Sequence, residues 1–296
     1  MAVVSTLFSM VLALSAHSGE SESGEPRNAI TIRASAEAAE LAEQLVAAFH
    51  ARIGEKVFRV EVGPSSTNME LFLSKKAAML ASGTRPSAED LDRARLKLGS
   101  SICTVPYAMT AVVFWMPSSR PELVLNFEQV RGVLTSRIAR WSELSQPGDL
   151  IRLQAVGDEP DSFSAAMSRL YPNLACTKPS RSHPDHESLF SSLSEGPGRL
   201  AVAGLRSTGD AKPASIRVSD STPPIAPTRQ TVRAREYPLV HYVCWFVPLN
   251  AAGRLRELVT FSVGPEGQSI VAKSNAGVLP LPFRDGAPNS SAADSP

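Results

Sequence analysis

Cysteines and aromatic residues are scarce in this chain, and neither charge is in excess. Its 296 residues include three cysteines, Cys103, Cys176 and Cys244, which stand far apart and form no CxxC pair. That spacing excludes a thioredoxin-like dithiol and a zinc knuckle. Thirty basic residues balance 29 acidic ones, and no block of Lys and Arg occurs. Since nucleic acids are bound by basic surfaces, we expect no nucleic-acid partner.

Motifs that carry catalysis are absent as well. The sequence holds no GxSxG elbow, no HExxH pair and no P-loop, so a hydrolase on an α/β scaffold is disfavoured. One group at 183–187, HPDHE, has metal-ligand residue types, but Pro184 lies inside it and no third histidine is near. A solvated loop is therefore preferred over a zinc site. The sequence predicts that the chain is not an enzyme and holds no cofactor.

The N-terminus begins with an apolar run over residues 2–16, which is too short to span a bilayer. Ala16 and Ser18 are small residues at the spacing that precedes a signal cleavage site. We therefore predict a signal peptide over 1–18, a polar linker over 19–28, and a periplasmic or secreted protein. Because no Lys or Arg precedes the apolar run, a mis-assigned start or a disordered apolar tail is the alternative.

Strand-like and helix-like patterns alternate along the chain. Residues 30–33 and 57–62 alternate like strands, and helical spacing follows each of them, at 35–49 and at 68–80. A charged helix is predicted over 87–98. This order favours an α/β fold with mostly parallel sheets, in which ligands collect at the loops that follow the strands.

Two long apolar runs, at 102–116 and 237–247, are rich in β-branched and aromatic residues and predict buried strands. The chain is also longer than one hydrophobic core usually organises. We therefore expect two lobes, with the two runs crossing between them. In one antiparallel register of these strands, Cys103 would face Cys244, which would allow a disulfide.

Four segments carry distinctive residues in a particular order. They are LNFEQVRGVLTSRIARWSEL at 125–144, GPGRLAVAGL at 196–205, the P-x-x-x-T-V and YPL elements within 226–247, and LVTFSVGPEGQSIVAKSNAGVLP at 258–280. Together they resemble the phosphate-binding proteins of phosphate ABC transporters, and the similarity extends over 29–282. The resemblance implies a two-lobed periplasmic binding protein of type II. Each lobe would be a mostly parallel sheet flanked by helices, and two strands would form the hinge.

The resemblance also implies where the lobes begin and end. The first lobe is expected to comprise 29–107 plus 240–283 and the second 108–239, followed by a disordered polar tail at 284–296. The implied function is capture of phosphate or a related oxyanion in the cleft between the lobes. A monomer would then deliver the solute to the membrane subunits of an ABC importer. Such closure works because the solute bridges both lobes and stabilises the shut state.

In this family an oxyanion is held by hydroxyls and backbone amides at helix N-termini, where the helix dipole favours negative charge. The resemblance assigns ligand-binding roles to a set of hydroxyl residues and one arginine. These are Ser35, Ser65, Thr67, Thr84, Arg85, Ser162 and Ser164. Arg85 would make a charge-assisted contact to the anion, and its alternative is a surface ion pair. Ser35, Ser65 and Ser162 can instead be plain helix N-caps.

Three residues depart from the family pattern. Asp158 stands where the family has an arginine, and Glu37 stands where the first loop usually has a hydroxyl. Carboxylates at these positions would repel a phosphate dianion. Pro64 replaces a glycine of the second loop and restricts how closely the backbone can approach a ligand. These departures favour an alternative function, that of a diverged homologue without transport activity that acts as a secreted or surface interaction protein.

Overall fold

A computed structural model describes residues 29–148, 150–156, 179–206 and 210–282 of the chain. Within these ranges, strands and helices alternate as an α/β fold requires. The predicted signal peptide, linker and C-terminal tail lie outside the described residues. In the part of the chain that is described, no helix is both long enough and apolar enough to cross a membrane.

Five strands form the first sheet. They are β1 (Ile30–Ala34), β2 (Phe58–Val62), β3 (Met79–Ser82), β4 (Ile102–Ala111) and β12 (Val240–Pro248). Their order across the sheet is β2-β1-β3-β12-β4. β1 pairs in parallel with β2 and β3, whereas β12 runs antiparallel to both β3 and β4. The sheet is therefore mixed, with its parallel half made of the first strands of the chain.

Five other strands form the second sheet. They are β5 (Val113–Pro117), β7 (Arg152–Val156), β8 (Arg181–His183), β9 (Arg199–Ala203) and β10 (Ala211–Pro213). Their order is β10-β5-β9-β7-β8, with β7 parallel to β8 and β9, and β5 antiparallel to β9 and β10. A small parallel pair, β6 (Val124–Asn126) and β11 (Ser215–Arg217), lies beside it. The two sheets thus have the same mixed design.

Helices pack against both sheets. They are α1 (Ala36–Ile53), α2 (Ser65–Leu73), α3 (Ala88–Leu98), α4 (Phe127–Leu134), α5 (His186–Leu193), α6 (Arg229–Arg233), α7 (Arg254–Val263) and α8 (Pro265–Lys273). α1 and α2 contact strands of the first sheet, and α5 contacts strands of the second. The predicted α/β architecture, with two sheets flanked by helices, is confirmed. Each sheet is mixed rather than mostly parallel, because it has two parallel and two antiparallel pairings.

The sequence of α1 explains how the first sheet is covered. Leu41, Leu45 and Phe49 recur at helical spacing, and all of them are buried in the core beneath the helix. Burying each such side chain stabilises the fold by about 1.5–3 kcal/mol. The helix ends at Gly54, whose φ of 71° is in the left-handed region that glycine favours at a helix C-terminus.

The chain passes between the sheets at two adjacent places. β4 ends at Ala111 and β5 begins at Val113, while the return passage leads into β12 at Val240. At the crossing, the backbone N–H of Val112 donates to the carbonyl oxygen of Leu239 over 2.9 Å. This pairing gives the hinge of two strands that the sequence predicted. The predicted lobe limits at 107/108 and 239/240 stay a prediction.

The register of the hinge strands separates the two described cysteines. Val240 pairs with Ala111, and Val247 pairs with Cys103, so Cys103 does not face Cys244. Both thiols are free. The disulfide that one register would have allowed does not form, because the strands adopt a different register. Burial raises the pKa of the Cys244 thiol to about 12, so this thiol stays protonated near neutral pH.

Each sheet has its own hydrophobic core. Trp141 and Trp115 are buried in the core of the second sheet, and Trp245 is buried in that of the first, where its ring stacks on Tyr107 with 4.4 Å between ring centroids. A third, smaller cluster around Phe72, Leu80 and Phe246 also packs on the first sheet. A separate core for each sheet is what a two-lobed chain of this length is expected to have.

Candidate functional site

The carboxyl ends of the parallel strands meet in a cleft between the two sheets. α1 begins just after β1 ends, and its first turn faces the carboxyl ends of β7 and β9 and the start of α5. The facing residues enclose a cavity of about 20 Å³. It is lined by Ala36, Glu37, Val156, His186, Val202, Ala203 and Gly204. In open α/β sheets, ligands bind at this edge, so the cleft is the candidate site.

Among the described residues that line this cavity, Glu37 is the acidic one. Its side chain is only 10% exposed, and its Oε1 accepts a hydrogen bond from Nε2 of His241, in β12, over 2.9 Å. Its other oxygen, Oε2, is buried and has no hydrogen-bond partner among the described residues. Gly83, just after β3, lies against this oxygen. A Cβ at position 83 would clash with Oε2, so only a glycine lets the carboxylate approach the backbone this closely.

Basic groups from both sheets surround the Glu37 carboxylate. Burial by itself raises the pKa of Glu37, but the charge and hydrogen bond of His241 lower it, as does the charge of Arg206. The net effect is a pKa below the usual value, so Glu37 is ionised at neutral pH. His186 is the first residue of α5, on the far side of the cleft. The cleft therefore carries the negative charge of Glu37 at the place where the resemblance implied a binding site for an anion.

The His186 imidazole is neutral in this setting. Burial and the nearby positive charge of Arg206 lower its pKa to about 4, against the smaller opposing effects of Glu37 and Asp185. A neutral imidazole keeps one N–H donor and one acceptor nitrogen. His186 therefore contributes polarity to the cleft at neutral pH without adding charge.

Arg206 joins the two sheets across the cleft. It follows β9 of the second sheet, and its guanidinium forms an ion pair with Glu40 of α1 over 3.0 Å. The same guanidinium donates to the carbonyl oxygen of Asn275, just after α8, over 3.1 Å. Both partners belong to the lobe of the first sheet. Two such contacts hold the cleft nearly shut, which agrees with its small volume.

The predicted ligand-binding residues divide between two places. Ser35 is fully buried just before α1, and its Oγ has no hydrogen-bond partner among the described residues, so it is not the side-chain cap that the alternative supposed. Ser65 is the first residue of α2, with Pro64 at the capping position. Thr67 is exposed on α2. Ser162, Ser164 and Asp158 lie outside the described residues.

Ser65, Thr84 and Arg85 come together around a separate pocket of about 250 Å³ within the lobe of the first sheet. The wall of this pocket includes the apolar side chains of Leu80 and Phe246. Arg85 is exposed and, among the described residues, forms no hydrogen bond or ion pair. The pocket gathers part of the predicted set at the carboxyl ends of β2 and β3, without any residue of the second sheet.

The HPDHE group is not the solvated loop that the sequence predicted. His183 is the last residue of β8, is buried, and lies 3.1 Å from Gln154 Oε1. Asp185 caps α5 by accepting a hydrogen bond from the N–H of Ser188. The loop prediction is wrong because a buried polar partner and a helix start tie the segment to the second sheet. Within the described ranges no cluster of potential metal ligands is found.

Sequence reasoning missed the second-sheet half of the cleft. It named neither His186 as a cleft residue nor Arg206 and its partner Glu40. An Asp–His–Glu run at a helix start was a usable signal for His186, since acidic caps mark helix N-termini. The sequence around Arg206 holds no such signal, because its ion pair with Glu40 forms only when α1 of the other lobe lies beside it.

Comparison with known proteins shows a shared fold at low sequence identity. No family model matches the chain, and no curated protein matches it. An ABC-type phosphate transport receptor of Vibrio cholerae matches with a TM-score of 0.70 and 13% identity, over 85% of this chain and 99% of the receptor.

Two more solved structures agree. A protein of Clostridium perfringens described as a phosphate ABC transporter substrate-binding protein, solved with bound phosphate, matches with a TM-score of 0.69 at 15% identity, over 86% of this chain and 100% of its own. A phosphate-binding protein of Stenotrophomonas maltophilia gives 0.59 at 15% identity, over 86% and 91%. The predicted likeness is confirmed: this chain has the type II periplasmic-binding-protein fold of the phosphate-binding proteins of ABC transporters.

Proposed function

We propose that this chain is a secreted or surface-exposed binding protein that keeps the two-lobed scaffold but no longer takes free phosphate in its cleft. The observation that carries this proposal is the buried Glu37 carboxylate among His241, His186 and Arg206. These groups would otherwise face a bound anion. The apolar N-terminal run supports export. The proposal involves no catalysis.

Electrostatics sets the size of the expected effect. Two like unit charges 4 Å apart repel by about 1 kcal/mol in bulk water and by about 4 kcal/mol at an effective dielectric constant of 20. Each 1.4 kcal/mol corresponds to about a tenfold change in affinity. A phosphate dianion beside the ionised Glu37 would therefore lose about fivefold to about 700-fold in affinity for each of its charges.

Titration of the full-length folded protein with phosphate tests this proposal. We expect no binding heat with phosphate or sulfate in the micromolar range at pH 7.5, because Glu37 is ionised there. Isothermal titration calorimetry is the measurement, and a thermal melt on the same sample confirms that the protein is folded. Binding of phosphate with a micromolar Kd by the wild-type chain would contradict the proposal.

A second candidate function is capture of phosphate or a related oxyanion for an ABC importer. The pocket beside Ser65, Thr84 and Arg85 favours it, because it offers hydroxyls and the exposed guanidinium of Arg85. The solved phosphate-binding proteins that this chain resembles support this second function only through the shared fold.

If this second function is correct, Arg85 should carry much of the affinity. Arg85→Gln would then weaken phosphate binding by about 10-fold to 150-fold, the value of a hydrogen bond to a charged group. Arg95→Gln is the matched control, because Arg95 is exposed on α3 and pairs with Asp92 away from the pocket. Equal binding by both variants would exclude Arg85 as the anion contact.

A further inference from the structure

We infer that the pocket within the lobe of the first sheet binds a small organic monocarboxylate, with its carboxylate group on Arg85 and its apolar body between α2 and α3. This is the pocket of about 250 Å³ that Ser65, Thr84 and Arg85 line. The inference goes beyond the proposed function, because the pocket lies outside the cleft. It also differs from the second candidate function in the kind of ligand.

The first argument is the distribution of charge around the pocket. Arg93 of α3 forms ion pairs with Glu70 and Asp90, which also line the pocket. Glu70 is 56% exposed, so water screens the rest of its charge. Arg85 is exposed and has no ion pair with a described residue. Since guanidinium groups bind carboxylates through charge-assisted hydrogen bonds, Arg85 is the group on which an anionic ligand would be held.

The second argument is the apolar part of the lining. Leu80 of β3 and Phe246 of β12 line the pocket from the buried side, and both belong to the small hydrophobic cluster on this sheet. Met69 of α2 is half-buried and lines the pocket as well. A methionine side chain adapts its shape to the group that packs on it. An inorganic oxyanion has no apolar surface to place against these three side chains, whereas an organic acid has one.

The third argument is the size of the pocket. An engineered apolar cavity of about 150 Å³ binds benzene. The volume of this pocket is about 250 Å³, which leaves room for a body of that size together with a carboxylate group. A phosphate or sulfate, with its single shell of oxygens, would leave much of that volume to water. Pockets with an apolar lining and a few placed polar groups are typical sites for organic molecules.

The fourth argument is that the loop carrying Arg85 is held in place before any ligand arrives. On one side, the backbone N–H of Thr84 donates to Oγ of Ser82, at the end of β3, over 3.0 Å. On the other side, Ser87 and Asp90 form the capping box that begins α3. A group that is fixed in advance loses less freedom on binding, and more of the contact energy then appears as affinity.

Isothermal titration calorimetry of the full-length protein with acetate, butyrate and hexanoate tests the inference. We expect the affinity to rise about fourfold for each added methylene, because each one is removed from water in the pocket. Hexylammonium has the same body and the opposite charge, and we expect it not to bind. The chain-length series reports on the apolar lining, and the comparison of the two hexyl compounds reports on the charge.

Arg85→Gln should weaken the binding of hexanoate by about 10-fold to 150-fold, since it removes a charged hydrogen-bond donor. Arg95→Gln is the matched control, because Arg95 is exposed on α3 and pairs with Asp92 away from the pocket. Met69→Ser should instead reduce the gain per methylene, because it removes part of the apolar lining. A thermal melt of each variant shows that it is folded.

Several results would overturn the inference. They are the absence of binding by all three acids, equal affinities for acetate and hexanoate, and binding of hexylammonium as tight as that of hexanoate. Equal binding of hexanoate by Arg85→Gln and Arg95→Gln would overturn it too, as would displacement of hexanoate by an equal concentration of phosphate. These results are separate from the proposed function, which fails only if the wild-type chain binds phosphate tightly in the calorimeter.

Discussion

Replacing Gly277 with alanine is expected to lower the free energy of unfolding by about 2–5 kcal/mol. Gly277 has a φ of +73°, a region that costs other residues about 1–2 kcal/mol. A Cβ there would also lie 2.6 Å from the carbonyl oxygen of Leu205. Because that oxygen belongs to the backbone, the chain must shift, and overpacking of this kind costs about 1–3 kcal/mol. Urea denaturation of the purified variant measures the loss.

Gly54→Ala is the control that separates the two costs. Gly54 has nearly the same φ, +71°, but a Cβ there would meet nothing within 4 Å. Its replacement should therefore cost only the conformational share, about 1–2 kcal/mol. If Gly277→Ala lowers the free energy of unfolding no more than Gly54→Ala does, the close approach to Leu205 does not contribute to the loss of stability, and the prediction is wrong.

The position of Gly277 connects this prediction to the cleft. Its carbonyl oxygen accepts a hydrogen bond from Oγ1 of Thr110, over 2.8 Å, at the end of the hinge strand β4. The carbonyl oxygen of the nearby Asn275 accepts a hydrogen bond from the guanidinium of Arg206, which follows β9 of the second sheet. A displaced 275–277 segment would therefore disturb the contact across the cleft as well as the local packing.

The α/β order and the hinge could be predicted from the sequence because they depend on local patterns. The run at 102–116 gave β4 and β5, and the run at 237–247 gave β12. Long stretches of β-branched and aromatic residues are strong strand signals. The exact pairing was not predictable, since the Cys103–Cys244 register was wrong, and register depends on the tertiary arrangement.

β3 shows why a central strand can be missed. Helical spacing predicted one helix over 68–80, but α2 ends at Leu73 and the chain enters β3 at Met79. All four residues of β3 are buried, so the strand has no alternation of apolar and polar positions. A short, fully apolar run cannot be assigned to helix or strand by its period. The break at Lys75, with φ of 62°, has no sequence signal of its own.

The cleft was only half predictable, for a related reason. Glu37 was recognised as a departure from an anion site, but its partner His241 lies 204 positions away in the sequence. The resemblance assigned Ser65, Thr84 and Arg85 to the same site as Ser35, whereas the first three line a separate pocket. Which loops face each other is decided by how the two sheets approach, and no local pattern records that.

Acidification is expected to destabilise the protein through His186, by about 2 kcal/mol between pH 7.5 and pH 5. The pKa of His186 is about 4 in the folded chain, below its ordinary value of 6.5. The unfolded chain therefore binds a proton first as the pH falls, and stability declines from about pH 6.5 towards pH 4. Above pH 6.5 the imidazole is neutral in both states, and the stability from this source is fully present.

His186→Gln should flatten this decline, because glutamine does not titrate. The groups that face His186 are Arg206, which with burial lowers its pKa, and Glu37 and Asp185, which raise it. His50 and His183 also have lowered pKa values, so the variant is compared with the wild type rather than with a flat line. Urea unfolding across pH 5–7.5 gives the difference, and NMR titration of the imidazole gives the pKa itself. A His186 ring that titrates near 6.5 would contradict the lowered pKa of this buried imidazole, and the pH prediction would then be wrong.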